Sequence, residues 1–210
     1  MDNLEKIAEQ AREEFDALTA ARDKALAQAR TLTRHCSRAI RAIHRDEREV
    51  AAQELSAARK LTAALHEDLD EYPCLNYAGY TRDALKEFAE ATLLIALLDD
   101  GDLPTPQELD LDVATYLRGL AETVGELRRH TLDILRGGHS SEAERFLQCM
   151  DEIFSVLVTM DYPDAVTHGL RRLTDISRSI IERTRGDITL SLRQERLERA
   201  LREAQNHVGD

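Results

Sequence analysis

Residues 4–43 read LEKIAEQAREEFDALTAARDKALAQARTLTRHCSRAIRAI, and within them Leu4, Ile7, Ala11, Phe15, Leu18, Ala25, Ala29, Leu32, Cys36, Ala39 and Ile43 recur at steps of three, four or seven. That spacing predicts one apolar stripe along a single helix of some forty residues. At about 1.5 Å per residue the helix is roughly 60 Å long, more than the diameter of a compact domain of this size. Part of it is therefore expected to pack on another subunit.

The same periodicity continues outward. A second helix is predicted from about Glu47 to Glu71, carrying Val50, Leu55, Leu61 and Leu65 and ending before Tyr72-Pro73, because proline disfavours helix in the residue before it. After a loop from Pro73 to Gly79, a third helix runs to about Leu98 and stops at the turn signature Asp99-Asp100-Gly101. A fourth spans roughly Asp112 to Arg136, ahead of Gly137-Gly138. Ser140 or Ser141 with Glu144 resembles a capping box opening a fifth, and Pro163 fits the first turn of a sixth. Gly186 is expected to end that sixth helix and Asp187 to cap a seventh, whose apolar face is Leu192, Leu197 and Leu201. The fold class is thus all-α, seven helices with a long N-terminal one, in a single domain covering 1–210.

Composition is consistent with this reading. The chain is 42% hydrophobic and 32% charged, as in an ordinary globular protein. Its longest apolar stretch, Ala91 to Leu98, is far short of the roughly 20 residues that cross a bilayer. The first residues also lack a basic-then-apolar signal pattern. The expectation is a cytoplasmic protein with no membrane partner. Cys36, Cys74 and Cys149 are odd in number and far apart, which argues against a disulfide framework or a thiolate zinc site.

The formal net charge of −12 opposes nucleic-acid binding, but the charge is unevenly spread. Between Lys24 and Arg45 there is no Asp or Glu, and Arg34, Arg38, Arg41, Arg45 and Arg48 follow one helical face, extended by Arg30. Such a ridge suits a phosphate backbone. Single strands also reward aromatic stacking, and no aromatic lies among the ridge's members; in so acidic a protein an equally good reading is a basic face paired with acids of a neighbouring helix or subunit.

Glu87 with Glu90, and Glu122 with Glu126, each place two carboxylates side by side on a helix, with Asp83 continuing the first row. Two such pairs have the oxygen donors that magnesium or manganese prefers. Solvated glutamates are the commoner meaning of that spacing. On the fourth helix, Glu122 and Glu126 lie nearly opposite the stripe of Val113, Leu117, Leu120, Val124 and Leu127, as a solvated face would. On the third, Glu90 precedes Ala91 and the run Leu93 to Leu98, which suggests burial or the lining of a cavity. Gly119 and Gly125 permit another backbone to come close to the fourth helix. There is no H-E-x-x-H, P-loop, G-x-S-x-G or Glu-x-x-His pattern.

The segments Asp83-Ala84-Leu85-Lys86-Glu87-Phe88-Ala89-Glu90-Ala91 and Tyr116-Leu117-Arg118-Gly119-Leu120-Ala121-Glu122-Thr123-Val124-Gly125-Glu126-Leu127-Arg128-Arg129 resemble the translin family, closest to its translin-associated factor X branch. The resemblance extends over nearly the whole chain. It implies a translin-like bundle that assembles into a homo-oligomer, an octamer, binds single-stranded RNA or DNA and, in that branch, cleaves RNA with Mg²⁺ or Mn²⁺. The branch's metal-binding, catalytic acids fall on Glu87, Glu90, Glu122 and Glu126. Glu122 is one methylene longer than the aspartate expected there. The basic segment that precedes the third helix in translin proper is replaced here by Asn76, Tyr77, Ala78 and Tyr80, with Arg82 the single match, so nucleic-acid contact shifts to Arg30, Arg34, Arg38, Arg41 and Arg45. The resulting expectation is a metal-dependent endoribonuclease. The alternatives are a non-catalytic single-strand-binding oligomer and a structural helical assembly.

Overall fold

A computed structural model describes residues 2–138 and 141–208, and among them there are eight helices and no strand. The all-α expectation holds. The chain divides into two compact units, Met1–Thr115 and Tyr116–Asp210.

The first unit is built on α1 (Asp2–Ile43) and α2 (Arg48–Leu69). Lys24 Nζ lies 2.6 Å from Asp68, whereas His35 Nδ1 lies 2.5 Å from Glu54, so the two helices run antiparallel. Their seam is Ala25, Ala29, Leu32, Cys36, Ala39 and Ile43 against Ala51, Ala58, Leu65 and Leu69, all buried. The steps of three and four are those of a coiled-coil seam, and its many alanines let the helices approach closely. α1 ends where Asp46 takes a left-handed φ of 60° and the Glu47 N–H reaches back to the Ala42 carbonyl, a Schellman turn. The short α3 (Pro73–Asn76) occupies part of the predicted loop, and α4 (Gly79–Leu98) packs against both α1 and α2.

The N-terminal third of α1 departs from the expected stripe. In an antiparallel pairing that sets Lys24 beside Asp68, α2 ends before it can reach the first twenty or so residues. Leu4, Ile7 and Phe15 are accordingly 70%, 54% and 68% exposed.

α5 (Val113–Leu135) starts under an Asp112 cap, whose carboxylate accepts the Thr115 N–H at 2.9 Å, and most of the helix belongs to the second unit. There it is joined by α6 (Ser141–Leu157), α7 (Asp164–Thr167) and α8 (Leu170–Val208). Ser140, the other candidate cap for α6, lies outside the described residues. Pro163 precedes α7 rather than opening a long helix, and His168 and Gly169, at φ 49° and 88°, separate α7 from α8.

The predicted break at Gly186 is absent, because α8 passes straight through it. One glycine inside a helix costs about 1 kcal/mol. Its neighbours offset that: Arg185 forks onto both Asp151 oxygens at 2.8 and 2.9 Å, and Arg128 holds Asp187 at 2.9 Å and the Thr184 hydroxyl at 2.9 Å. Two predicted helices are therefore one. Gly125 is also not a point of close backbone approach, since a β-carbon there would meet only Ile180 Cδ1 at 3.9 Å.

Candidate functional site

α4 is buried on almost every side, with Ala84, Leu85, Phe88, Ala89, Ala91, Leu93 and Leu94 in the core. Its carboxylates are carried inward with it. Glu90 is 8% exposed and Glu87 is half-buried, while Asp83 at the head of the row is exposed. The expectation that the third predicted helix draws its glutamates out of solvent is met. Lys86 is buried too, and its Nζ lies 3.4 Å from Glu87 Oε1.

Cys36, on the facing side of α1, is fully buried. Burial pushes its thiol well above the ordinary range, and the negative charges of Glu87 and Glu90 push it further. The pair itself presents carboxylate oxygens. Leu26, Ala29, Arg30 and Thr33 of α1 and Tyr80, Asp83, Ala84 and Glu87 of α4 line a cleft of about 380 Å³. The first unit therefore brings Arg30 of the basic ridge to the same cleft as Glu87.

Glu122 and Glu126 stand on α5. Both are half-buried rather than fully solvated, and Arg129 lies 3.7 Å from Glu126. The solvated-face reading of these two is too simple, because Ala121 and Thr123 beside Glu122 are themselves buried.

Arg30, Arg34, Arg38 and Arg41 are exposed along α1. Arg45 is exposed in the turn after it, and Arg48 opens α2, so the ridge's single helical face ends at Arg41. Arg48 is held by Asp46 at 3.1 Å and by Asp99, whose hydrogen bond and charge raise the guanidinium pKa further. Arg38 approaches Glu54 at 3.7 Å. Among the described residues Arg30, Arg34, Arg41 and Arg45 enter no ion pair. Both readings of the ridge are thus partly realised, with pairing at Arg38 and Arg48 and open guanidinium groups elsewhere.

Lys86, Cys36 and Tyr80 were not singled out for the site by sequence. The signal available for Lys86 was its place inside the apolar run from Ala84 to Ala91, where a lysine has no solvated side to turn to.

No protein-family model matches the chain. An uncharacterized protein, MJ0175, of Methanocaldococcus jannaschii is 33% identical over 186 residues, covering 88% of this chain and 82% of the relative. The structure of AfC3PO in complex with duplex RNA matches with a TM-score of 0.80 at 32% identity, over 88% of this chain and 95% of that one. The chain belongs to the translin family. The crystal structure of AfC3PO gives the same TM-score and identity over 88% and 96% of the two chains. Apo-NeC3PO shares the translin fold with a TM-score of 0.80 at 21% identity, over 88% and 96%. Among the described residues of this translin-family chain, no helix is long and apolar enough to cross a membrane.

Proposed function

We propose that this translin-family protein is a metal-dependent endoribonuclease that binds and cleaves single-stranded RNA within a homo-oligomer, an octamer. The observation that carries the reading is Glu90, a carboxylate 8% exposed on a core helix with Glu87 one turn before it. A buried carboxylate and a half-buried one beside it destabilise each other unless a positive charge lies near them. The donors that the glutamates offer are all oxygen, which fits Mg²⁺ or Mn²⁺. Glu87 and Glu90, with Glu122 and Glu126 from α5, would hold that ion. The chemistry such an ion would supply there is polarisation of a phosphodiester and a lowered pKa for an attacking water.

The rest belongs to the chain's own side chains. Arg30, Arg34, Arg38, Arg41 and Arg45 hold the strand through its phosphates, without reading sequence. The RNA complex of AfC3PO, 32% identical over most of both chains, supports RNA as the ligand class. The exposed Leu4, Ile7 and Phe15 support assembly, because a second copy of the chain supplies the cover that α2 is too short to give.

A second reading is favoured by Lys86. Its ammonium, 3.4 Å from Glu87, offers an internal counter-charge, which would make the pair structural and the protein a non-catalytic single-strand binder. Wild type and the double variant Glu87→Gln with Glu90→Gln, incubated with labelled single-stranded RNA and Mn²⁺, separate the two. The nuclease reading expects cleavage by wild type alone, with RNA binding retained by both. Cleavage that survives the double substitution sinks the site, and wild type that shifts RNA on a gel but leaves it whole establishes the second reading.

A further inference from the structure

Two helices carry large apolar side chains that the chain leaves open. On the first third of α1 these are Leu4, Ile7 and Phe15. On the second half of α8 they are Leu190, Leu197 and Leu201, 60%, 60% and 55% exposed. At about 100° per residue the three leucines fall within roughly 40° of one another, so they form one stripe along the helix. Leu4 to Phe15 and Leu190 to Leu201 are the same eleven steps apart, about 16 Å at 1.5 Å per residue. The two stripes match in length.

Charge decides how such stripes pair. From Leu4 to Leu18, α1 carries five acids against Lys6 and Arg12, a net charge of −3. From Leu190 to Ala204, α8 carries four arginines against three glutamates, a net charge of +1. Arg12 is taken up by Glu9, Arg199 by Glu195 and Arg202 by Glu198. Among the described residues Glu5, Glu13, Glu14 and Asp16 on α1 enter no ion pair, and neither do Arg193 and Arg196 on α8. Two α1 stripes side by side would set like charges across the contact, which opposes it. An α1 stripe against an α8 stripe sets unpaired acids against unpaired arginines. The positions of these charges also fix direction. Glu13, Glu14 and Asp16 cluster at the Phe15 end, and Arg193 and Arg196 lie toward the Leu190 end. Bringing the two ends together runs the helices antiparallel.

We infer that the α1 stripe of one copy packs antiparallel on the α8 stripe of another, with Phe15 near Leu190, Leu4 near Leu201, and Glu13, Glu14 and Asp16 facing Arg193 and Arg196. The inference rests on the homo-oligomer reading and names the surface that covers the overhang of α1. The contact is heterologous. A copy that gives its α1 to one neighbour offers its α8 to a second, so copies add until a ring closes.

Complementation between two variants tests it. Ile7→Asp with Phe15→Asp disables the α1 stripe and leaves α8 intact, whereas Leu197→Asp with Leu201→Asp does the reverse. All four positions are exposed, so neither variant loses a core contact. In sedimentation velocity each variant alone should run as a smaller species than wild type. An equimolar mixture should form a species larger than either, because one productive contact survives between them. As an independent measure, Arg193→Glu with Arg196→Glu should reduce assembly, and adding Glu13→Arg with Glu14→Arg to the same chain should restore it. If α1 pairs with α1, the α8 variant assembles like wild type; if α8 pairs with α8, the α1 variant does; either result overturns the inference. So does a mixture that stays as small as its components, which places another occupant on each stripe, or a charge reversal that the second pair does not restore. Wild type that is monomeric at every dilution removes the homo-oligomer reading itself, whereas wild type that assembles while these variants fail as described removes the α1 to α8 contact alone.

Discussion

Replacing Phe15 with alanine tests whether the overhanging part of α1 is an association surface. Phe15 is 68% exposed on a helix whose partner α2 is too short to cover it. Two-thirds of a phenylalanine side chain is roughly 110–130 Å², taken from the lower end of aromatic areas. Buried against another subunit at about 25 cal/mol per Å², it contributes about 3 kcal/mol, of which an alanine methyl retains roughly a third. The remaining loss of about 2 kcal/mol raises the dissociation constant of each such contact about 30-fold. Sedimentation velocity over a dilution series should show the variant dissociating at correspondingly higher concentration. Far-UV circular dichroism of the dissociated chain should match wild type, because the substitution removes no contact within the chain's core. An unchanged assembly at every dilution refutes the association surface, and a loss of helix at equal subunit state refutes the exposure on which the figure rests.

Three further outcomes follow from particular contacts. The Asp68 carboxyl is held below the ordinary range, first by its hydrogen bond from Lys24 and then by that from Gln28, so its stabilising effect is complete above the unfolded value of about 3.9 and is lost as pH falls through the lowered folded value. Asp68→Asn should therefore flatten the fall in chemical stability below pH about 4, measured by urea unfolding across pH, with little change in slope near neutrality. Arg34→Gln with Arg41→Gln removes two unpaired guanidinium groups from the ridge, and the log–log slope of single-strand affinity against salt should become shallower by about 1.4; an unchanged slope places the strand elsewhere. Under a thiol reagent followed by mass spectrometry, exposed Cys74 should label first and buried Cys36 not until the protein unfolds.

The fold was legible where local chemistry decides it. The seam from Ala25 to Ile43, the stop at Asp99-Asp100-Gly101 and the start at Asp112 all lie within a residue or two of expectation, because each depends on periodicity or on a cap within one turn. Gly186 misled because its penalty is small and local, whereas Arg185 with Asp151 and Arg128 with Asp187 join residues 34 and 59 apart in sequence. The stripe of α1 misled in another way. Periodicity predicts an apolar face for Leu4, Ile7 and Phe15 without showing how far α2 reaches to cover it. At the site, spacing alone identified Glu87 and Glu90 as neighbours, and the apolar run behind them indicated burial. The burial of the Tyr80 hydroxyl and of Lys86 depends on how α4 is enclosed by its neighbours, which no local pattern encodes.

α1 shows why one helix of 42 residues is kept whole. Its first third carries large apolar side chains with no cover inside the chain. Its middle, from Ala25 to Cys36, is the wall against which α4 sets Glu87, and it supplies Arg30 and Thr33 to the cleft. Its exposed face carries Arg34, Arg38 and Arg41 to the turn where α2 begins. A rigid helix fixes these three regions in one register, since each residue adds about 1.5 Å of rise and 100° of rotation. Association through the first third would therefore set the arginine ridge and the Glu87 cleft of each copy at a defined place in the assembly. A helix-breaking substitution at exposed Arg22, such as Arg22→Pro, should uncouple them. Assembly should fail while the seam from Ala25 onward, held by α2 and α4, keeps its fold and its ability to bind an oligonucleotide too short to span two copies.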